Sequence, residues 1–251
     1  MKRLISIFLT LCLLFGTTAC SATQPPEETG SANGSSTELE SNSTGSVDLS
    51  TETQVPMSDQ PEASKPQSNI LIAYFTWAEN TSVADPDSVD VDAVTSASVL
   101  MPGNVGLLAQ WIEEETGGDK FSIITEEPYS SDYDTCLNRA IEEHDSNARP
   151  AIQGHIENME DYDIVFLGFP NWWYSCPMAI LTFIEEYDLS GKIIIPFCSH
   201  GTGGFAASLR DIGNVLPDDC TVLEEFGAYR PEVAQSKEEL LEWLSGLDIE
   251  Y

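Results

Sequence analysis

The chain has 251 residues and a mass of 27.5 kDa, with 42 acidic against 10 basic side chains, a formal net charge of −32 and a pI near 4.1. That balance excludes a nucleic-acid reader built on clustered Lys and Arg, and argues against docking on anionic lipid by charge alone. A hydrophobic content of 41 % with 9 % aromatic residues is enough for a core, so disorder throughout is excluded too.

Residues 1–20 begin with Lys2 and Arg3, run through apolar Leu4 to Phe15 and end Gly16-Thr17-Thr18-Ala19-Cys20. A membrane span needs about 20 apolar residues and a signal-peptide core about 7–15, so this length predicts a signal peptide. The small residues ending in cysteine resemble a bacterial lipobox, with Thr17 where Leu is usual. The resemblance implies lipidation of Cys20 and a membrane anchor on the extracytoplasmic side. Residues 21–68 are rich in Ser, Thr, Glu, Gly, Asn and Pro, with no aromatic residue and no period among Leu39, Val47, Leu49 and Val55. Such a stretch buries too little to offset its ordering and is expected to be a disordered tether. Thirty-four acids and seven bases fall in 69–251, so a net −27 belongs to the expected domain.

From residue 69 onward the pattern alternates. Ile70–Phe75 is a near-continuous apolar run, as in a strand buried on both faces. Val105–Thr116 has helical spacing and stops at Gly117-Gly118. Lys120–Thr125 reads as a strand and Tyr133–His144 as a helix. Asp163–Gly168 is a third strand, followed by a helix over Met178–Tyr187 opened by Pro177. Lys192–Cys198 is a fourth strand, Phe205–Val215 a helix, Thr221–Phe226 a fifth strand and Ser236–Leu247 a last amphipathic helix. Strictly alternating strands and helices predict an α/β fold, a doubly wound five-stranded parallel sheet with helices on both faces. Ligands of such sheets bind beyond the carboxyl ends of the strands, which directs attention to the loops after strands one, three and four.

The first loop starts Thr76-Trp77, and Gly103-Asn104-Val105 opens the following helix. A helix start with unpaired N–H groups favours an anion. The third strand leads into Pro170-Asn171-Trp172-Trp173-Tyr174-Ser175-Cys176-Pro177, where three consecutive aromatics cannot all enter one core and some are left for a planar ligand. The fourth leads into Cys198-Ser199-His200-Gly201-Thr202-Gly203-Gly204, whose glycines allow close backbone approach.

These three loops together resemble those of the short-chain flavodoxins over about residues 69–247. Gly103-Asn104-Val105 stands in the place of the family's Gly-Asn-Thr, with Ala78–Pro102 inserted ahead of it. Asn80-Thr81 is a competing placement that would set Glu79 beside a phosphate, and helix spacing favours the first. Val105 removes one hydroxyl, for which Thr95, Ser96 or Ser98 could substitute. Pro170 to Tyr174 resembles the family's Pro-x-Trp-Trp loop, and Cys198 and His200 depart from its Ser/Gly-rich fourth-strand loop. The resemblance implies noncovalent FMN held by Thr76, Trp77, Gly103, Asn104, Val105, Pro170, Asn171, Trp172, Trp173, Tyr174, Cys198, Ser199, His200, Gly201 and Gly203. It implies an electron carrier with a basic redox partner or a small electron acceptor. An FMN-dependent NAD(P)H:quinone-type oxidoreductase and a flavin-free binding module remain open on the same fold.

Cys136, Cys176, Cys198 and Cys220 allow three pairings. Free thiols are the expectation, and a Cys176–Cys198 bridge is the alternative. Other chemistries find no footing: no Gly-x-Ser-x-Gly supplies a nucleophile, and His144, His155 and His200 lack metal-ligand spacing.

Overall fold

The computed structural model describes residues 69–249, with the side chains of residues 95–97 left out; the signal, Cys20 and the tether lie outside the described residues. In chain order the elements begin with β1 (Ile70–Tyr74), α1 (Val91–Ala97), α2 (Asn104–Thr116), β2 (Asp119–Ser122), β3 (Ile124–Thr125) and α3 (Tyr133–Asp145). They continue with β4 (Ile152–Gln153), β5 (Ile164–Pro170), α4 (Met178–Glu186), β6 (Ile193–His200), α5 (Ser208–Gly213), β7 (Thr221–Val222), β8 (Phe226–Tyr229) and α6 (Lys237–Gly246).

The main sheet is parallel throughout and runs β2-β1-β5-β6, with β7 and β8 sharing the last position beside β6. This is the doubly wound arrangement expected from the alternation. Its near-continuous apolar strands are explained by the two covered faces. Leu71, Ala73, Val165, Leu167 and Ile194 point to the layer of α3, α4 and α5. Ile70, Ile72, Ile164, Phe166 and Ile195 point to the layer of α2 and α6. Burying each such side chain stabilises the fold by about 1.5–3 kcal/mol relative to exposure.

Three departures from the expected elements have local causes. The fifth strand is not one segment ending at Phe226 but two, β7 and β8, ending at Tyr229. Carbonyls of Lys192 and Ile194 accept from Thr221 and Leu223, so the even-numbered residues of β6 bond towards this edge. Pro196 is the next of them and has no N–H to donate, and the ladder lapses there until Phe197 pairs with Phe226. The second strand stops at Ser122, and Ile124–Thr125 instead pairs antiparallel with Ile152–Gln153. Buried Asn80 draws the chain aside, accepting from the Thr125 N–H (2.8 Å) and donating to the Ile123 carbonyl (3.0 Å). The segment Ala78–Pro102 is no loose flap: it carries α1, begun by Asp90 accepting from the Asp92 N–H, and buries Ala93 and Val99 in the α3–α4 layer.

Candidate functional site

A cleft of about 270 Å³ opens at the carboxyl ends of β1, β5, β6 and β8. On the β1 side stand Thr76, Trp77, Asn104 and Val105. Trp77 is almost wholly buried and donates from Nε1 to the Ser130 carbonyl at 3.0 Å, so it forms a wall rather than a free face. Gly103 does not line the cleft; it caps α2 at φ 74°, where a Cβ would come within 2.2 Å of the Thr76 hydroxyl. Its glycine lets the first loop and the helix start meet. Asn104 then joins three elements, accepting from Ser98 Oγ and donating from Nδ2 to Ser199 Oγ and the Arg230 carbonyl, each at 3.2 Å. Ser98 therefore orients Asn104, while the side chains of Thr95 and Ser96 are outside the described residues.

The competing placement at Asn80-Thr81 is excluded by geometry. Asn80 spends both ends of its amide on Thr76, Ile123 and Thr125. Glu79 is tied to the Tyr74 and Ser122 hydroxyls, away from the cleft. Burial and that carboxylate push the Tyr74 phenol up from its ordinary value, so it stays a donor to Glu79.

Pro170, Asn171, Trp172, Trp173 and Tyr174 all line the cleft. The Trp172 ring packs on Phe75 and Tyr129, with centroids 5.4 and 4.9 Å away. Trp172 and Ser175 exchange both backbone hydrogen bonds, at 2.7 and 3.2 Å, closing a two-residue turn. Its central residues, Trp173 and Tyr174, have φ of 49° and 61° and are 39 % and 69 % exposed. Non-glycine residues rarely hold this left-handed conformation. Neighbours enforce it: Ser175 Oγ donates to Asp211 at 2.6 Å, Asn171 Nδ2 donates to the Gly204 carbonyl, and the Ala207 N–H donates to the Tyr174 carbonyl.

Ser199, His200, Gly201, Thr202 and Gly203 supply the β6 side. Cys198 does not, which corrects its expected place among the ligand contacts: it is fully buried and faces the α4 layer. Strand alternation is the reason, since Ser199 and Cys198 must point to opposite faces. Among the described residues, Cys136, Cys176, Cys198 and Cys220 are free thiols. Burial pushes the Cys176 thiol up to about 12 and that of Cys198 higher still, so neither supplies a thiolate at neutral pH.

The cleft gains four residues that the sequence reading did not select: Tyr133 and Leu137 from α3, Thr202, and Arg230 at the end of β8. Tyr133 and Leu137 lie four apart on one helical stripe, and Leu137 reads as ordinary core. Arg230 was hidden by ending the fifth strand at Phe226; with the strand carried to Tyr229, Arg230 occupies a carboxyl-end position, where ligands of such sheets bind. Among the described residues, no lining side chain is a carboxylate, although 34 acids fall in residues 69–251. The cleft is an acid-free, aromatic-walled opening with an arginine in it, suited to a planar ligand bearing negative charge.

Comparison with known proteins agrees with the fold. No curated protein matches the chain. A candidate flavoprotein from Bacteroides eggerthii DSM 20697 is 27 % identical with a TM-score of 0.53, over 73 % of this chain and 100 % of that one. A second, from Bacteroides uniformis ATCC 8492, is 22 % identical with a TM-score of 0.51, over 71 % and 99 %. The flavodoxin family model matches residues 93–247, more than half of the chain, so the chain belongs to the flavodoxin family.

Proposed function

We propose that the protein binds FMN noncovalently and works as an electron carrier held to the outer side of the cytoplasmic membrane by a lipid on Cys20. The observation that carries the FMN reading is the acid-free cleft at the carboxyl ends of β1, β5 and β6 in a strongly acidic protein. Family membership supports it. The residues present fit the group. The first turn of α2 offers backbone N–H groups to a phosphate, with the Thr76 hydroxyl and the Asn104 amide beside them. Trp172, Trp173 and Tyr174 offer aromatic surface to a ring, and the Gly201–Gly203 loop leaves backbone groups within reach of a ring edge. A volume of about 270 Å³ lies just under the ~300–1,000 Å³ of enclosed pockets, as suits a cleft that leaves part of its ligand in solvent. FMN bound there supplies the electron-accepting chemistry; the protein orients it, excludes water from one face and sets its electrostatic surroundings. The acidic surface favours a basic partner face by steering their encounter.

The full chain, purified without added flavin, is expected to be yellow and to release FMN on denaturation, read by absorbance and chromatography. Colourless protein that also fails to quench added FMN would overturn the reading. Fast bleaching of the bound flavin by NAD(P)H with no partner present would replace the carrier with an oxidoreductase. For the anchor, cells fed labelled fatty acid are expected to label the wild-type chain and not the Cys20→Ser variant, with the label in the membrane fraction. Equal labelling of the two, or none of the wild type, removes the lipid from the proposal.

A further inference from the structure

The aromatic wall of the cleft does not end at Trp172. That ring lies against Tyr129, which is 3 % exposed and does not itself line the cleft, with centroids 4.9 Å apart. The backbone of Tyr129 is fixed on both sides: its N–H donates to the Asn80 carbonyl, and its carbonyl accepts from the Thr81 hydroxyl, each at 2.8 Å. The phenol donates to Glu143 Oε2 at 2.7 Å, and Arg139 Nε donates to Oε1 of the same carboxylate at 2.7 Å. The Arg139 guanidinium stands 3.9 Å above the Tyr129 ring centre, held there by the Glu127 and Pro128 carbonyls at 3.1 and 3.0 Å. Arg139 and Glu143 line a separate depression on the surface. A cleft aromatic is thus joined, through one buried phenol, to a carboxylate that borders solvent. Packing alone needs only the ring of Tyr129, and the FMN reading uses neither its hydroxyl nor Glu143.

We propose that Trp172, Tyr129 and Glu143 form a relay that drains an oxidising equivalent from the cleft. Trp172 gives one electron to a one-electron oxidant held in the cleft and recovers it from Tyr129, as the Tyr129 phenol passes its proton to Glu143. The oxidant gains one electron, Tyr129 loses an electron and a proton to become a neutral phenoxyl radical, and the Glu143 carboxylate becomes a carboxylic acid. The inference rests on the FMN reading above, because flavin excited by light is the oxidant that the test employs. Burial and the Glu143 carboxylate push the Tyr129 phenol above its ordinary value, so it enters the relay protonated. The Arg139 charge over the ring opposes a second positive charge there, so the electron leaves together with the proton. At 2.7 Å the carboxylate is within reach for that proton transfer.

The test uses full-length protein saturated with FMN, with binding read separately by fluorescence titration and folding of each variant by urea unfolding. Protein illuminated and frozen is expected to give the electron paramagnetic resonance signal of a tyrosyl radical. Tyr129→Phe keeps the ring and is expected to lose that signal, leaving a tryptophan radical in its place; Trp172→Phe is expected to lose both. Glu143→Gln keeps an acceptor oxygen without a base, and the tyrosyl radical should form roughly a hundredfold more slowly in flash photolysis. Formation should also slow in deuterated solvent for the wild type. A wild type that binds FMN and gives no tyrosyl radical overturns the relay and leaves the FMN reading standing. A tyrosyl signal that survives Tyr129→Phe places the radical on another tyrosine, such as Tyr133 or Tyr174 of the cleft wall, and overturns it as well. An unchanged rate in Glu143→Gln removes the proton acceptor from the proposal. Wild-type protein that binds no FMN overturns both readings.

Discussion

Asn80→Ala is expected to destabilise the folded protein by about 3 kcal/mol, one of the largest effects of any single side chain near the site. Asn80 is 1 % exposed and makes four side-chain hydrogen bonds. Nδ2 donates to the carbonyls of Thr76 and Ile123, both at 3.0 Å, and Oδ1 accepts from the N–H and hydroxyl of Thr125 at 2.8 and 3.1 Å. Truncation leaves two carbonyls and one amide without these partners in a place that water does not reach; the Thr125 hydroxyl keeps its bond to the Glu127 carbonyl. Each stranded buried group costs about 1–3 kcal/mol, and local relaxation keeps the total below their sum. Equilibrium urea unfolding should show a lower midpoint with an unchanged slope, and the melting temperature should fall by about 6–12 °C. Asn80→Asp separates hydrogen bonding from volume: it keeps the acceptor half, sets a carboxylate against two carbonyls, and is expected to lose nearly as much. A loss under about 1 kcal/mol in both variants would show that the end of β1 and the departure of β3 from the sheet are fixed by something other than this amide.

Asn80 also shows where the sequence stops speaking. The parallel sheet was legible because both its faces are covered: Ile70–Phe75 and Ile193-Ile194-Ile195 carry apolar residues at every position, and such runs separated by helical spacings admit few architectures. The loops after β1, β5 and β6 were legible because their Trp, Gly and Asn residues fall at strand ends. What alternation could not show was which polar residue is spent internally. Asn80 resembles a ligand contact in sequence and is a structural pin in space. Cys198 lies in a contact loop by position, yet its parity in β6 turns it into the core. Arg230 escaped because its strand is interrupted by Pro196 of a neighbouring strand, a long-range effect with no local mark.

Replacing the turn Trp173-Tyr174 by Asn-Gly is expected to make the protein more stable and the FMN binding proposed above much weaker. Both central residues of this two-residue turn have positive φ, 49° and 61°, a requirement that Asn-Gly meets without strain and that bulky aromatics meet at about 1–3 kcal/mol each. Part of that gain is cancelled because Trp173, 39 % exposed, still buries some of its ring. A net stabilisation of about 1 kcal/mol should remain, read as a higher urea midpoint. The turn itself should persist, since the Trp172–Ser175 pair and the Ser175–Asp211 bond do not involve the replaced side chains. FMN affinity, in contrast, should drop roughly a hundredfold, from the lost burial and stacking of two rings at the cleft mouth. The opposite signs carry the argument. A chain selected for stability alone has no reason to hold two exposed aromatics in a left-handed turn, so strain retained there implies that the rings act on something outside the fold. A variant that loses stability while binding FMN as before would make the pair structural and would remove Trp173 and Tyr174 from the proposed flavin site.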